Sequence, residues 1–139
     1  MILIDTNVIS EPLRANPEPK VVDWLDSQAL ETLYLSVITV AELRYGVARL
    51  PEGKRRDILQ DRLETQVIPA FTRRILAFDL PATQAYADLM SKAQSAGLAI
   101  GMADGYIASI ATVNGVTVAT RDVAPFKAAG VSVINPWSD

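Results

Sequence analysis

Apolar positions along the chain fall into two kinds of run. Five short stretches are continuously apolar and rich in β-branched residues: "MILI", "LYLSVI", "ILAF", "VTVA" and "VSVI". Continuity rather than alternation predicts strands covered on both faces. Between them, apolar residues recur at helical spacing. In "EPKVVDWLDSQ", Val21, Val22 and Leu25 share one side. In "TVAELRYGVARL", Val40, Leu43, Val47 and Leu50 form a stripe, and "KRRDILQDRLETQV" sets Ile58, Leu59 and Leu63 opposite its charges. "PATQAYADLMSKAQSAG" begins with Pro81 and ends at Gly97, the usual start-and-stop asymmetry of a helix. "GMADGYIASIATVNG" is almost wholly apolar after Gly105, with Gly115 as its terminator.

Strands separated by helices imply parallel pairing and an α/β layer fold. No repeat, low-complexity tract or linker interrupts the pattern, and 139 residues suit one domain spanning 1–139. Apolar residues make up 50% and charged residues 21%, enough for a substantial core. A mean hydropathy of +0.19 leaves apolar surface for a subunit or partner interface, although a dense core alone also accounts for it. No run is long enough to span a bilayer. The first residues carry no basic region and no small-residue cleavage site, so no signal peptide and a cytoplasmic location are expected.

The chain has no cysteine and no histidine. That excludes disulfides, the Ser-His-Asp triad, histidine-based ribonuclease chemistry and the usual zinc ligands. A net charge of −3 argues against bulk electrostatic binding of nucleic acid, while leaving room for a local basic patch. Hydrolytic chemistry must therefore rest on carboxylates, hydroxyls, Lys/Arg and a hard cation.

Ligands of open parallel sheets sit outside the carboxyl ends of the strands, near the switch in strand order. Asp5 ends the first predicted strand, Glu42 follows the second, Asp122 follows the fourth, and Asp104 opens the apolar helix leading into that fourth strand. Each also has a structural role open to it. Asp5 suits an N-cap or Asx-turn. Thr39-Val40-Ala41-Glu42 matches a capping box, and Asp122 suits a cap on a turn from Ala124 to Phe126. Asp104 shares a small-residue stripe with Ala108 and Ala111, which puts an acid near the core with no basic neighbour in sequence. Taken together, the four suit Mg²⁺ or Mn²⁺ and phosphate-ester hydrolysis. Two carboxylates ~5 Å apart at an effective dielectric of about 20 repel by roughly 3 kcal/mol, so four at one rim call for a cation or raised pKa values.

The stretches "MILIDTNVISEPLR", "SVITVAELRYGV", "ADGYIA", "VATRD" and the tail "NPW" together resemble a PIN-domain nuclease of the VapC-like toxin type, in its FitB-like subgroup. The resemblance covers essentially the whole chain. It implies a three-layer α/β/α domain with a parallel five-stranded sheet of order 3-2-1-4-5. It also implies Mg²⁺- or Mn²⁺-dependent cleavage of RNA, a cognate antitoxin and a toxin homodimer, with a toxin–antitoxin hetero-oligomer on operator DNA as a further assembly. Carried over by position, Asp5, Glu42, Asp104 and Asp122 become the catalytic and metal-binding acids. Asp5 and Asp104 are the main ligands, Asp122 binds directly or through water, and Glu42 contacts or deprotonates a metal-bound water. Thr6, Asn7 and Thr120 become the groups that hold the carboxylates.

RNA must be met by basic residues. Arg121 beside Asp122, the loop cluster Lys54, Arg55 and Arg56, and Arg73 and Arg74 are the candidates, although a charge run also serves simply as a solvated face. Trp24, Tyr45 and Trp137 are expected in the core or at an interface rather than stacked on bases. One competing function is a weakly active or inactive module that serves mainly as an antitoxin's partner on operator DNA. Two others are disfavoured by single residues. A haloacid-dehalogenase-type phosphatase needs an acid where Asn7 stands, and a receiver domain needs a lysine that "VINPW" lacks.

Overall fold

The computed structural model describes residues 1–139. Five parallel strands form one sheet in the order β3-β2-β1-β4-β5, as expected. They are β1 (Ile2–Ile4), β2 (Leu33–Ser36), β3 (Ile75–Leu76), β4 (Thr117–Ala119) and β5 (Val133–Ile134). The helices are α1 (Thr6–Ile9), α2 (Pro19–Ser27), α3 (Val37–Ala48), α4 (Lys54–Arg62), α5 (Ile68–Ala70), α6 (Leu80–Ser95), α7 (Met102–Asn114) and α8 (Val123–Ala128). The predicted helix over 54–67 is broken at its end by one wide turn, Leu63–Val67, which leads into α5. Gly115 ends α7 in the left-handed region at φ 62°, where a residue lacking Cβ meets no steric cost.

The strands are short, and the predicted runs overshoot them. "LYLSVI" loses Val37 and Ile38 to α3, because the Ser36 hydroxyl accepts the Thr39 N–H at 3.0 Å and starts the helix there. Successive strand residues supply opposite faces of the sheet. Leu3 and Val118 join Ile107, Ile110 and Phe126 in one buried cluster. Ile4 and Ala119 join Val8, Val21 and Leu35 in the other. Two apolar layers explain why the strands read as continuous rather than alternating.

The strand order reverses at β1 and β4. Ile2, Leu3 and Ile4 pair with Thr117, Val118 and Ala119, while β2 lies on the other side of β1. The carboxyl ends of these two central strands are the place where open parallel sheets form their crevice. α7 and α6 pack closely beside it. A Cβ at Gly105 would lie 2.8 Å from Met90 Sδ and 3.0 Å from the Tyr86 ring, so only glycine fits there without displacement.

Candidate active site

The crevice is lined by Asp5, the residue immediately after β1. Its backbone N–H still donates to the Ala119 carbonyl at 2.9 Å, which anchors it to β4. Its Oδ1 accepts the Thr6 N–H at 2.8 Å, so it also caps α1. The two roles open to Asp5 in the sequence are therefore not exclusive. Oδ2 accepts the hydroxyl of buried Thr120 at 2.8 Å, and that hydroxyl accepts the Asp122 N–H at 3.1 Å. Asn7 braces the same point. Its amide nitrogen lies 3.4 Å from both Asp5 Oδ2 and Thr120 Oγ1, and its Oδ1 accepts the Arg121 N–H at 3.1 Å.

Glu42 stands in the second turn of α3, because the helix is capped by Ser36 and not by Thr39. The capping box is thus not formed. The Thr6 hydroxyl instead donates to Glu42 Oε1 at 2.7 Å and lies 3.1 Å from the hydroxyl of fully buried Thr39. Asp122 precedes α8 but makes no side-chain cap bond, so its carboxylate is free for other work. Asp104 lies half-buried in the first turn of α7, on the same helix as the buried Ala108 and Ala111.

Electrostatics ties the four together. Burial pushes the Asp104 carboxyl up to about 6, and the charges of Asp5, Asp122 and Glu42 add to the effect. Asp5 is raised too. Burial outweighs the hydrogen bonds from Thr120 and Thr6, with Glu42 and Asp122 adding repulsion. No basic side chain neutralises them. The two salt bridges of the chain, Arg14–Glu11 and Arg44–Glu64, lie elsewhere. An all-oxygen, anionic donor set without a basic partner fits a hard divalent cation. No three of the carboxylates close on a common point, however. Four direct ligands are thus not what the arrangement offers. It fits an ion that keeps several waters and binds through one or two carboxylates.

The basic and aromatic candidates separate. Arg121 is exposed beside the acids, its guanidinium 5.0 Å above the half-buried Trp137 ring. Trp24 is half-buried against the second apolar cluster. Tyr45 is not a core residue, since 67% of it is exposed. Arg74 is spoken for, donating to the carbonyls of Leu30, Leu33 and Ala70, and so is not free for RNA. Arg73 is exposed and turns the chain at φ 68°. Arg56 parts from Lys54 and Arg55 and lines a separate hollow with Arg44 and Glu64. Two participants escaped the sequence: Thr39, hidden as a presumed cap, and Glu11, whose spacing from Arg14 was its only signal.

A family model described as "PIN domain" matches residues 2–131. The chain belongs to the PIN-domain family. Among individual proteins of this family, it is 58% identical to "VapC ribonuclease Y4jK" of Sinorhizobium fredii over 99% of this chain and 98% of that one. It is 56% identical to "Toxin FitB" of Neisseria gonorrhoeae over the whole of both chains. The solved structure of FitAB bound to a DNA fragment superposes with a TM-score of 0.97 at 54% identity, covering 100% of this chain and 97% of the matched chain. The PIN-domain architecture thus agrees with the strand order and the crevice described above.

Proposed function

We propose that this chain is a divalent-cation-dependent ribonuclease and the toxin of a toxin–antitoxin pair. The observation that carries this proposal is the set of four coupled carboxylates, Asp5, Glu42, Asp104 and Asp122, raised in pKa at Asp5 and Asp104 and lacking any basic partner. The names of relatives, a VapC ribonuclease and a toxin, support it.

Asp5 and Asp104 would hold Mg²⁺ or Mn²⁺, with Asp122 and Glu42 reaching it through water; the cation would polarise a water and neutralise charge building on the phosphoryl oxygens. The chain's own residues supply the rest. Thr6 holds Glu42 by Oε1, which leaves Oε2 free to take the proton lost as the water oxygen adds to phosphorus. The P–O ester bond then breaks, and the departing alkoxide is protonated from solvent. Thr120 and Asn7 keep Asp5 in place without neutralising it. With no histidine in the chain, a carboxylate is the group left to take the proton from the attacking water.

The proposal extends to partners. Beside Glu42, Ile38, Ala41, Tyr45, Met102 and Tyr106 line an apolar hollow of about 440 Å³. Tyr45 and Met102 are 67% and 64% exposed. This surface suits a second copy of the chain, and an antitoxin covers the remaining apolar exposure. The FitAB complex on DNA supports a second role, in which the toxin with its antitoxin sits on operator DNA. No helix is long and apolar enough to cross a membrane.

Incubating purified protein with RNA, with Mg²⁺ or Mn²⁺ and then with EDTA, tests the enzymatic part. Cleavage is expected with metal, none with EDTA, and none from folded Asp104→Asn protein. Full activity in that variant would refute the assignment. Silence of the wild type under all metal conditions would leave the DNA-bound partner role as the function.

A further inference from the structure

Resting on the ribonuclease assignment, we infer that the cleft between the α1–α2 connection and α4 is the path along which single-stranded RNA is held by its phosphates on the way to the acidic crevice. The cleft has a volume of about 430 Å³, and Arg14, Lys54, Arg55 and Arg62 line it over an aliphatic floor that includes Leu13 and Ile58. Four of the chain's 13 basic residues thus gather in one groove of a protein whose net charge is −3. Lys54, Arg55 and Arg62 form no salt bridge, so their charge is available to a polyanion.

Hydrogen bonds at both ends, with a charge–charge influence between Arg121 and Glu11, run from the acidic crevice towards the cleft. Asn7, which braces Asp5, accepts the Arg121 N–H at 3.1 Å. The charge of Arg121 acts on the Glu11 carboxylate. Glu11, only 3% exposed, receives the Arg14 guanidinium at 3.0 and 3.2 Å and the Glu18 N–H at 2.9 Å. A buried carboxylate thereby holds Arg14 at the cleft mouth, with Arg121 on the side of the crevice. Arg121 follows directly before Asp122 and Arg14 lines the cleft, so the two would extend the cations of α4 towards the acids. A strand with one phosphodiester at the acids meets this line as it leaves.

The composition of the cleft also sets what it reads. No aromatic side chain lines it, so it offers no stacking platform for bases. Arginines and a lysine over an aliphatic floor grip the backbone and carry affinity without sequence preference. Arg56, in the hollow with Arg44 and Glu64, takes no part.

Salt dependence of binding tests this. The probe is a fluorescein-labelled oligouridylate, chosen because it forms no secondary structure. It is titrated against Asp104→Asn protein, which binds without cutting, and against the same protein carrying Lys54→Ala, Arg55→Ala and Arg62→Ala. Each lost phosphate contact lowers the slope of log affinity against log salt by about 0.7, so the triple substitution is expected to lower it by about 2 and to weaken binding at low salt. Lys92→Ala with Lys127→Ala, in the cleft of α6 and α8 away from this line, is the control and keeps the parent slope. An unchanged slope in the triple variant overturns the inference, as does an equal loss in the control. An unchanged RNA slope combined with lost antitoxin affinity also overturns it, and gives the cleft to an acidic peptide. RNA cleavage by the wild type is measured alongside. If it is absent, the ribonuclease assignment fails and takes the RNA path with it; if it is present with unchanged slopes, the path alone fails.

Discussion

Replacing Asp104 by Asn should stabilise the metal-free protein at neutral pH while abolishing cleavage. The wild-type carboxyl is raised from 3.8 to about 6 in the folded state, first by burial and then by Asp5, Asp122 and Glu42. Between those values the folded chain binds more protons than the unfolded chain, so stability falls as pH rises through the window and stays reduced above it. A displacement of about two pH units corresponds to ~3 kcal/mol as an unscreened ceiling. Asp104 is only half-buried, and solvent screening reduces this to about 1–2 kcal/mol. The substitution also removes a negative charge from the first turn of α7, a loss of ~0.3–1 kcal/mol against the helix dipole. The relief of burying and crowding a charge outweighs that loss, and the net gain at pH 7 is about 1 kcal/mol. For a chain of 139 residues that is a rise of ~3 °C in Tm.

Thermal melts of both proteins in EDTA, from pH 4 to pH 8, measure this. The curves should converge towards pH 4, where the wild-type carboxyl is protonated and as neutral as the amide, and separate above pH 6. In excess Mg²⁺ the order should invert, because a ligand at a hundredfold its Kd stabilises by ~2.7 kcal/mol and the variant lacks one of its holders. A variant that melts below wild type in EDTA at pH 7, or a gap that persists unchanged at pH 4, refutes the account of a self-repelling rim.

Thr120→Val should cost about 1–3 kcal/mol, because it strips a hydroxyl from the buried Asp5 carboxylate and an acceptor from the Asp122 N–H. Urea denaturation at pH 7 checks this, with Thr120→Ser expected to recover most of the loss; equal stability of the Val variant would show that water replaces the hydroxyl. Gly105→Ala should melt below wild type even though the exchange gains ~1 kcal/mol in an unconstrained helix. The new Cβ meets Met90 at 2.8 Å and Tyr86 at 3.0 Å, and overpacking costs roughly 1–3 kcal/mol; a higher Tm would mean that Met90 moves aside freely.

The sheet was legible because a strand covered on both faces leaves a continuous apolar signature, and β1, β4 and β5 carry it with little else around them. Its edges were not. Val37 and Ile38 are as apolar and β-branched as the strand before them, yet Ser36 caps a helix in front of them. A single hydroxyl bond outweighed local propensity. The same residue misdirected the reading of Glu42. Thr39 and Glu42 have capping-box spacing, but Val37 and Ile38 of the helix already precede them, so Thr39 lies inside the helix and buried, and Glu42 turns to Thr6. α1 and α8 left little trace, being four and six residues long, too short for a helical period to register.

The four acids could be gathered from sequence only by supposing where strands end, since they are separated by up to 117 positions between Asp5 and Asp122. What makes them a site lies in residues that carry no charge. Asn7 and Thr120 fix the Asp5 carboxylate, and Thr6, itself beside Thr39, fixes that of Glu42, yet none of them adds positive charge. Arginine or lysine in those places would hold the acids more tightly and lower their pKa values, and would thereby satisfy the crevice from within. Hydroxyls and an amide instead leave the negative charge unneutralised, with Asp104 still pushed up to about 6. The nearest basic residue in the chain, Arg121, directs its guanidinium over Trp137 rather than into the acids. A rim free of cations at the acids, with Arg121 set beside it, is the division of charge that the proposed binding of a divalent ion and a polyanion at one edge of the sheet would require.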